Sequence, residues 1–194
     1  MRIREQLQGQ VSTPEIFGWT EDEGQVFIYM SLIEGETLQE RWSGMDDAKR
    51  RAVCEQLKIY CENMEGLNAG QARLLYRFGK QPLSEAFGDS HPELAGPFQG
   101  VNAIQLFQDA CGIEIDSEVP IVFTHSDFFL PDILLSLGSN PQVAAIIDWG
   151  QAGWYPAYWE YCKARRVRVD PEYFGDTIQE EWHMKYLPMI SWIL

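Results

Sequence analysis

One stretch constrains this chain more than any other: Ile121-Val-Phe-Thr-His-Ser-Asp-Phe-Phe-Leu-Pro-Asp-Ile-Leu-Leu135, followed by a second apolar run ending in Ala145-Ile-Ile-Asp-Trp149. Each run is rich in β-formers and delivers an aspartate at or just past an apolar end, Asp127 from the first and Asp148 from the second, with Asp132 between them. The turn chemistry of Gly138-Ser-Asn-Pro141 predicts that the two runs are joined as a hairpin. A single aspartate in such a place is ordinarily a turn or cap residue. Three at these spacings, with His125 two residues before the first, mark a site.

The rest of the chain supplies a scaffold for that loop. At 194 residues, 45% of them hydrophobic, it can bury a substantial core as one large domain or two small ones. A formal charge of −14 excludes a nucleic-acid backbone as partner, since phosphate binding needs clustered Lys and Arg. Cys54, Cys61, Cys111 and Cys162 form no CxxC pair and no metal-ligand spacing, and Cys54 and Cys61 fall on one face of a helical pattern. Residues 1–10 lack the apolar segment of a signal peptide, and no run approaches the roughly 18 apolar residues of a membrane span. The expected setting is cytoplasmic, with no membrane partner.

Along the chain, residues 1–10 read as a polar helical stub. Glu15 to Trp19 and Val26 to Ile33 flank a turn-prone Glu21-Asp-Glu-Gly24 and predict a β-hairpin. Glu34 to Leu38 is a linker turning into a helix. The spacing of Ala48, Ala52, Val53, Leu57, Tyr60, Cys61 and Met64 predicts the chief buried helix, with Asp46 or Asp47 as its N-cap. Residues 66–100 show only one candidate strand, around Ala72 to Phe78. Helices are predicted over Val101 to Cys111, Tyr155 to about Val169, and Pro171 to Trp192, with Pro188 breaking the last. A strand pair, a linker and a mostly helical part make an α+β arrangement.

The order His125-Ser126-Asp127, Asp132, Asp148 has the spacing of a kinase catalytic loop and its metal-binding aspartate. Thr124-His-Ser-Asp-Phe-Phe-Leu-Pro-Asp-Ile-Leu134 resembles the H-G-D-L-H-P-x-N-I-L loop of the aminoglycoside and choline phosphotransferase family. Ile146-Ile-Asp-Trp-Gly-Gln-Ala-Gly-Trp154 resembles its I-I-D-W-E-x-A-G-W segment, and Phe27 to Leu38 its strand-to-linker hinge. The likeness runs from about Pro14 to Lys163. It implies a two-lobed, protein-kinase-like fold: residues 1–34 as a truncated N-terminal lobe of stub, hairpin and hinge strand, and 35–194 as a helical C-terminal lobe carrying the loop. It also implies Asp127 as catalytic base, Asp148 as the main magnesium ligand, and Asp132 in place of the second metal-binding Asn.

The departures bear on function. Within the loop, Ser126 replaces the family's Gly, Phe129 its second His and Asp132 its Asn. No lysine precedes Lys49, Arg2 and Arg4 are the only cations ahead of Arg41, and Gly9, Gly18 and Gly24 make no phosphate loop. The leading expectation is therefore a small-molecule enzyme on a degenerate scaffold that needs neither ATP nor magnesium. In it His125, Asp127, Asp132 and Asp148 do acid–base chemistry of a dehydration, isomerisation or cyclisation type. Ser126 and the aromatic side chains of Phe128, Phe129, Trp149 and Trp154 would line a fairly apolar substrate site. The alternatives are a true phosphotransferase using ATP with Mg²⁺ on Asp148 and Asp132, and an inactive binding protein. A shortened lobe would also leave the edge of the hinge strand open to form a homodimer.

Overall fold

A computed structural model describes residues 7, 9, 11–67, 74–77, 98–112, 119–166 and 175–190. Most of the N-terminal stub, Ala72 and Phe78 at the ends of the candidate strand, Pro171 and the last four residues lie outside the described residues. Strands β1 (Ile16–Asp22) and β2 (Gln25–Met30) form the predicted hairpin, pairing antiparallel with Trp19 opposite Ile28. Glu23 and Gly24, at φ 47° and 78°, make the tight turn between them. The hinge follows as β3 (Glu36–Thr37), where a side chain on Gly35 would run into the Leu135 carbonyl. Thr37 then caps α1 (Leu38–Trp42) in a capping box with Glu40.

Helix α2 (Asp47–Glu65) is the predicted buried helix, started by the Asp46 side chain accepting from the Lys49 amide at 2.9 Å. Its inner face presents Val53, Cys54, Leu57, Cys61 and Met64, so the two cysteines are buried thiols, which burial keeps protonated. Against it packs the last described helix: α5 (Asp176–Glu181), a π-turn over Trp182–Tyr186, then α6 (Leu187–Ile190). Trp42 is clasped there, edge-on to Trp182 and Tyr186 at 5.2 and 4.8 Å, with the Arg50 guanidinium 4.9 Å from its ring. Pro188 does not break this helix as expected. The wider turn before it, in which the Leu187 amide reaches back to Trp182, shifts the register and absorbs the residue.

The remaining strands are β4 (Leu74–Arg77), β5 (Phe98–Gln99), β6 (Ile121–Thr124), β7 (Ile133–Leu135), β8 (Val143–Ile146) and β9 (Gly153–Pro156). They form two sheets, ordered β3-β7-β8 and β5-β4-β9-β6, with helices α3 (Ala103–Cys111) and α4 (Trp159–Arg166) alongside. The helix expected from Val101 is α3, closed by Gly112 in the left-handed conformation.

Two expectations are corrected. The turn at 138–141 joins β7 to β8, not the first apolar run as a whole; β6 belongs to the other sheet and pairs with β9. Phe129 to Asp132 breaks the run, because a 3₁₀ turn carrying Pro131 redirects the chain between β6 and β7. Tyr155 and Pro156, expected to open a helix, instead end β9, and α4 starts at Trp159. The pairing Ile121↔Pro156 and the Ala157 amide bonded to the Pro120 carbonyl hold that end of the strand. No described helix is long and apolar enough to cross a membrane.

Candidate active site

The loop from His125 to Asp132 leaves the end of β6 between the two sheets, and the end of β8 brings Asp148 to it. His125 is fully buried. Its Nε2 meets the Ile147 carbonyl at 2.8 Å, and its Nδ1 accepts the Asp127 amide at 3.3 Å. Burial pushes its pKa down to about 4, so the ring is neutral at ordinary pH, donating through Nε2. The imidazole therefore pins the chain beside Asp148 to the loop that carries Asp127. Trp149 lies edge-on against it at 4.6 Å.

Glu160, on the first turn of α4, holds the same loop from below. Both of its carboxylate oxygens accept the Ser126 amide, at 3.0 and 3.1 Å, and the Trp159 indole donates to the Ser126 hydroxyl at 2.8 Å. Burial raises the Glu160 pKa to about 7 against the pull of the backbone amides facing it. Ser126 itself sits at φ 66°, the left-handed region, where the resembled loop has a glycine. The hydrogen bond from Trp159 is what a glycine there would lose.

Asp127 is half-buried. Its Oδ2 accepts from the Gln151 amide nitrogen at 2.9 Å, and the Gln151 carbonyl in turn accepts from Lys163 Nζ at 2.9 Å. Burial raises the Asp127 pKa; Lys163 opposes that and Asp148 adds to it. Asp132 closes the 3₁₀ turn, its carbonyl accepting the Ile147 amide at 2.9 Å. Its carboxyl is pushed up to about 7 by burial first, then by Asp148 and Asp127. Asp148 is exposed and, at φ 54°, stands in the left-handed region ahead of the 3₁₀ turn Trp149–Gln151.

The three predicted carboxylates are thus close enough to perturb one another, and His125 is with them as a brace. Of the four aromatics expected to line a pocket, Phe129 and Trp149 are half-buried, whereas Phe128 and Trp154 lie in the core, Trp154 beside Phe123. Among the described residues no group of three or more His, Cys, Asp or Glu side chains converges on one ion position. Asp132 and Asp148 form a two-carboxylate set of hard oxygens that repel one another. That set suits Mg²⁺, which is commonly held by one or two carboxylates and completed by water and phosphate oxygens.

Glu160, Gln151 and Lys163 are the site residues that motif reading passed over. Their signal was weak: an acid and a base three apart on α4 and a glutamine three after Asp148, all within the span from Pro14 to Lys163 over which the likeness runs.

Several solved structures share this fold. Over 92% of this chain and 67% of its own length, the aminoglycoside-3'-phosphotransferase of type VIII superposes with a TM-score of 0.58 at 16% identity. The aminoglycoside phosphotransferase APH(3'')-Id from Streptomyces rimosus does so over 95% and 72%, with a TM-score of 0.52 at 19% identity. A putative aminoglycoside phosphotransferase from Ralstonia eutropha covers 96% and 63%, with a TM-score of 0.51 at 15% identity. Identities this low speak for the fold alone, and no curated protein matches the sequence. The model of the phosphotransferase enzyme family, however, matches residues 1–187, nearly the whole chain. With the loop, the brace and the paired aspartates in the order that the sequence motifs require, the chain belongs to that phosphotransferase family.

Proposed function

We propose that this chain carries the catalytic half of a small-molecule phosphotransferase, with Asp127 as the base that takes the proton of an acceptor hydroxyl. The observation that carries this reading is how Asp127 is held. Its backbone amide is fixed by His125 and its carboxylate by Gln151, with Lys163 behind, so one oxygen is engaged and the other is left for a substrate hydroxyl. As the hydroxyl proton passes to Asp127, the acceptor oxygen bonds to the transferred phosphorus and the bond to the leaving phosphate oxygen breaks. Asp148 and Asp132 would hold Mg²⁺, which supplies charge neutralisation for the phosphates when bound.

The metal-free acid–base reading becomes the second one because His125 does not serve it. That ring is buried, neutral and bonded through both nitrogens. What still favours acid–base chemistry is Asp132, whose carboxyl titrates near neutrality beside the more exposed Asp148. The two readings separate in a calorimetric titration with Mg·ATP. Phosphotransfer predicts saturable binding that needs Mg²⁺ and is lost in Asp148→Asn. No heat at millimolar Mg·ATP sinks it and leaves ATP-independent turnover as the reading to pursue.

A further inference from the structure

The β1–β2 hairpin has a face that none of the other described residues covers. Strand alternation and the pairings of Trp19 with Ile28 and of Glu21 with Val26 put Trp19, Val26, Ile28 and Met30 on one side, at 73%, 64%, 55% and 49% exposure, with Glu21 at the turn end of the same face. Phe27 and Tyr29 project from the other side, also exposed. Among the described residues no further strand joins this two-stranded sheet. Hairpins of two strands are marginal in water unless something packs on them.

We propose that this face is where a second copy of the chain packs, sheet face against sheet face about a two-fold axis near Trp19 and Ile28. Area is the first argument. The four side chains expose on the order of 500 Å², the upper range of the largest apolar patch on a typical monomer. With the neighbouring Phe17 and Leu32, also exposed, the surface approaches the ~800 Å² that each partner contributes to a standard interface. Shape is the second. A large ring, Trp19, stands beside the branched Val26 and Ile28, so a two-fold sets bulky against small and the patch complements itself. Charge is the third. The acidic residues of the hairpin, Glu21 on this face and Asp22 and Glu23 after it, gather at the turn end, so an antiparallel arrangement keeps the two acidic ends at opposite ends of the interface.

The same charges give the proposal a sign that another partner would not share. Each copy carries −14, so two copies repel at a distance and added salt tightens the dimer. A basic protein attracted to the acidic turn would be released by salt instead. The surface concerned is the face of the hairpin, whereas the sequence pointed to its edge.

Sedimentation velocity of the 194-residue chain, over a hundredfold range of concentration and at low and high salt, tests this. The expected result is a monomer–dimer equilibrium that shifts at least threefold toward dimer at high salt. The double variant Trp19→Ser with Ile28→Thr should be monomeric throughout, with the melting temperature of dilute, monomeric parent protein. A parent chain that is monomeric at every concentration overturns the proposal and leaves the face to a different polypeptide. So does a dimer that persists in the double variant, or open-ended association in place of a dimer.

Discussion

Glu160 and Ser126 are joined by a two-pronged contact in which one backbone amide faces both oxygens of a buried carboxylate, at 3.0 and 3.1 Å. The contact fixes the loop, and the burial of the carboxyl, which outweighs the amide bonds, makes stability depend on pH. Glu160 is raised to about 7, so between its unfolded value near 4.5 and about 7 the folded chain holds more protons than the unfolded one. Its contribution therefore falls as pH rises through that window. His125, lowered to about 4, does the reverse: the folded chain holds fewer protons between about 4 and 6.5, and stability rises with pH there. The two slopes oppose each other, each by up to about 1.4 kcal/mol per pH unit at mid-window. In Glu160→Gln only the rising slope of this pair is left. Urea melts between pH 4.5 and 7 should show the variant gaining on the parent by on the order of 2 kcal/mol or more. Parallel profiles would mean that Glu160 does not titrate in this window.

Ser126 offers a second test, because two effects of similar size act on it with opposite sign. Glycine would relieve a left-handed backbone costing roughly 1–2 kcal/mol. It would also orphan the buried Trp159 indole, at a cost of about 1–3 kcal/mol. Alanine orphans the indole and keeps the strain. Ser126→Gly should thus be near neutral and Ser126→Ala the more destabilised, by about 1–2 kcal/mol relative to the glycine variant. Denaturant midpoints of the two variants decide it, and the reverse order would show that the left-handed backbone at this position costs less than the chain freedom that glycine adds.

What the sequence disclosed and what it hid divide along the range of the interactions. The hairpin, the Asp46 cap and the α2 stripe rest on residues within a few positions of one another, and these were legible. The loop motif placed Asp127, Asp132 and Asp148 together, which their mutual charge effects support. The role of His125 was hidden, because its Nε2 partner is a carbonyl 22 residues away and nothing local says that the ring is enclosed. Glu160 was hidden for the same reason, 34 residues from the amide it binds. Tyr155 and Pro156 imitate a helix start, and only their pairing with β6 across more than 30 residues makes them a strand.

For Asp127 the expectation is a separation of binding from turnover. Asp127→Asn keeps a side chain that Gln151 can still contact, so the fold and the Mg·ATP titration should be unchanged, while acceptor phosphorylation falls by about 10²–10⁴. Screening the parent and the variant against a panel of hydroxylated small molecules, with release of nucleoside diphosphate as readout, checks this. A variant as active as the parent removes Asp127 from the role of base in phosphoryl transfer.

Lys163 reaches Asp127 only through the Gln151 amide, which makes the middle residue a conductor of charge as well as a spacer. Burial lifts the Asp127 pKa and the ammonium counters it, so Lys163→Met should move the Asp127 titration upward. Gln151→Ala should do so less, because the charge stays while the oriented amide is lost; if Lys163 swings into direct contact with Asp127 instead, that variant titrates lower. The lysine is itself half-buried, with its pKa held down by burial, so in Lys163→Met the methionine fills an enclosed site and the fold should survive. Carboxyl ¹³C resonances followed through the titration read Asp127 directly. A midpoint unmoved in Lys163→Met would mean that solvent screens the ammonium at this distance, and that the Lys163–Gln151–Asp127 chain orients the base without setting its charge.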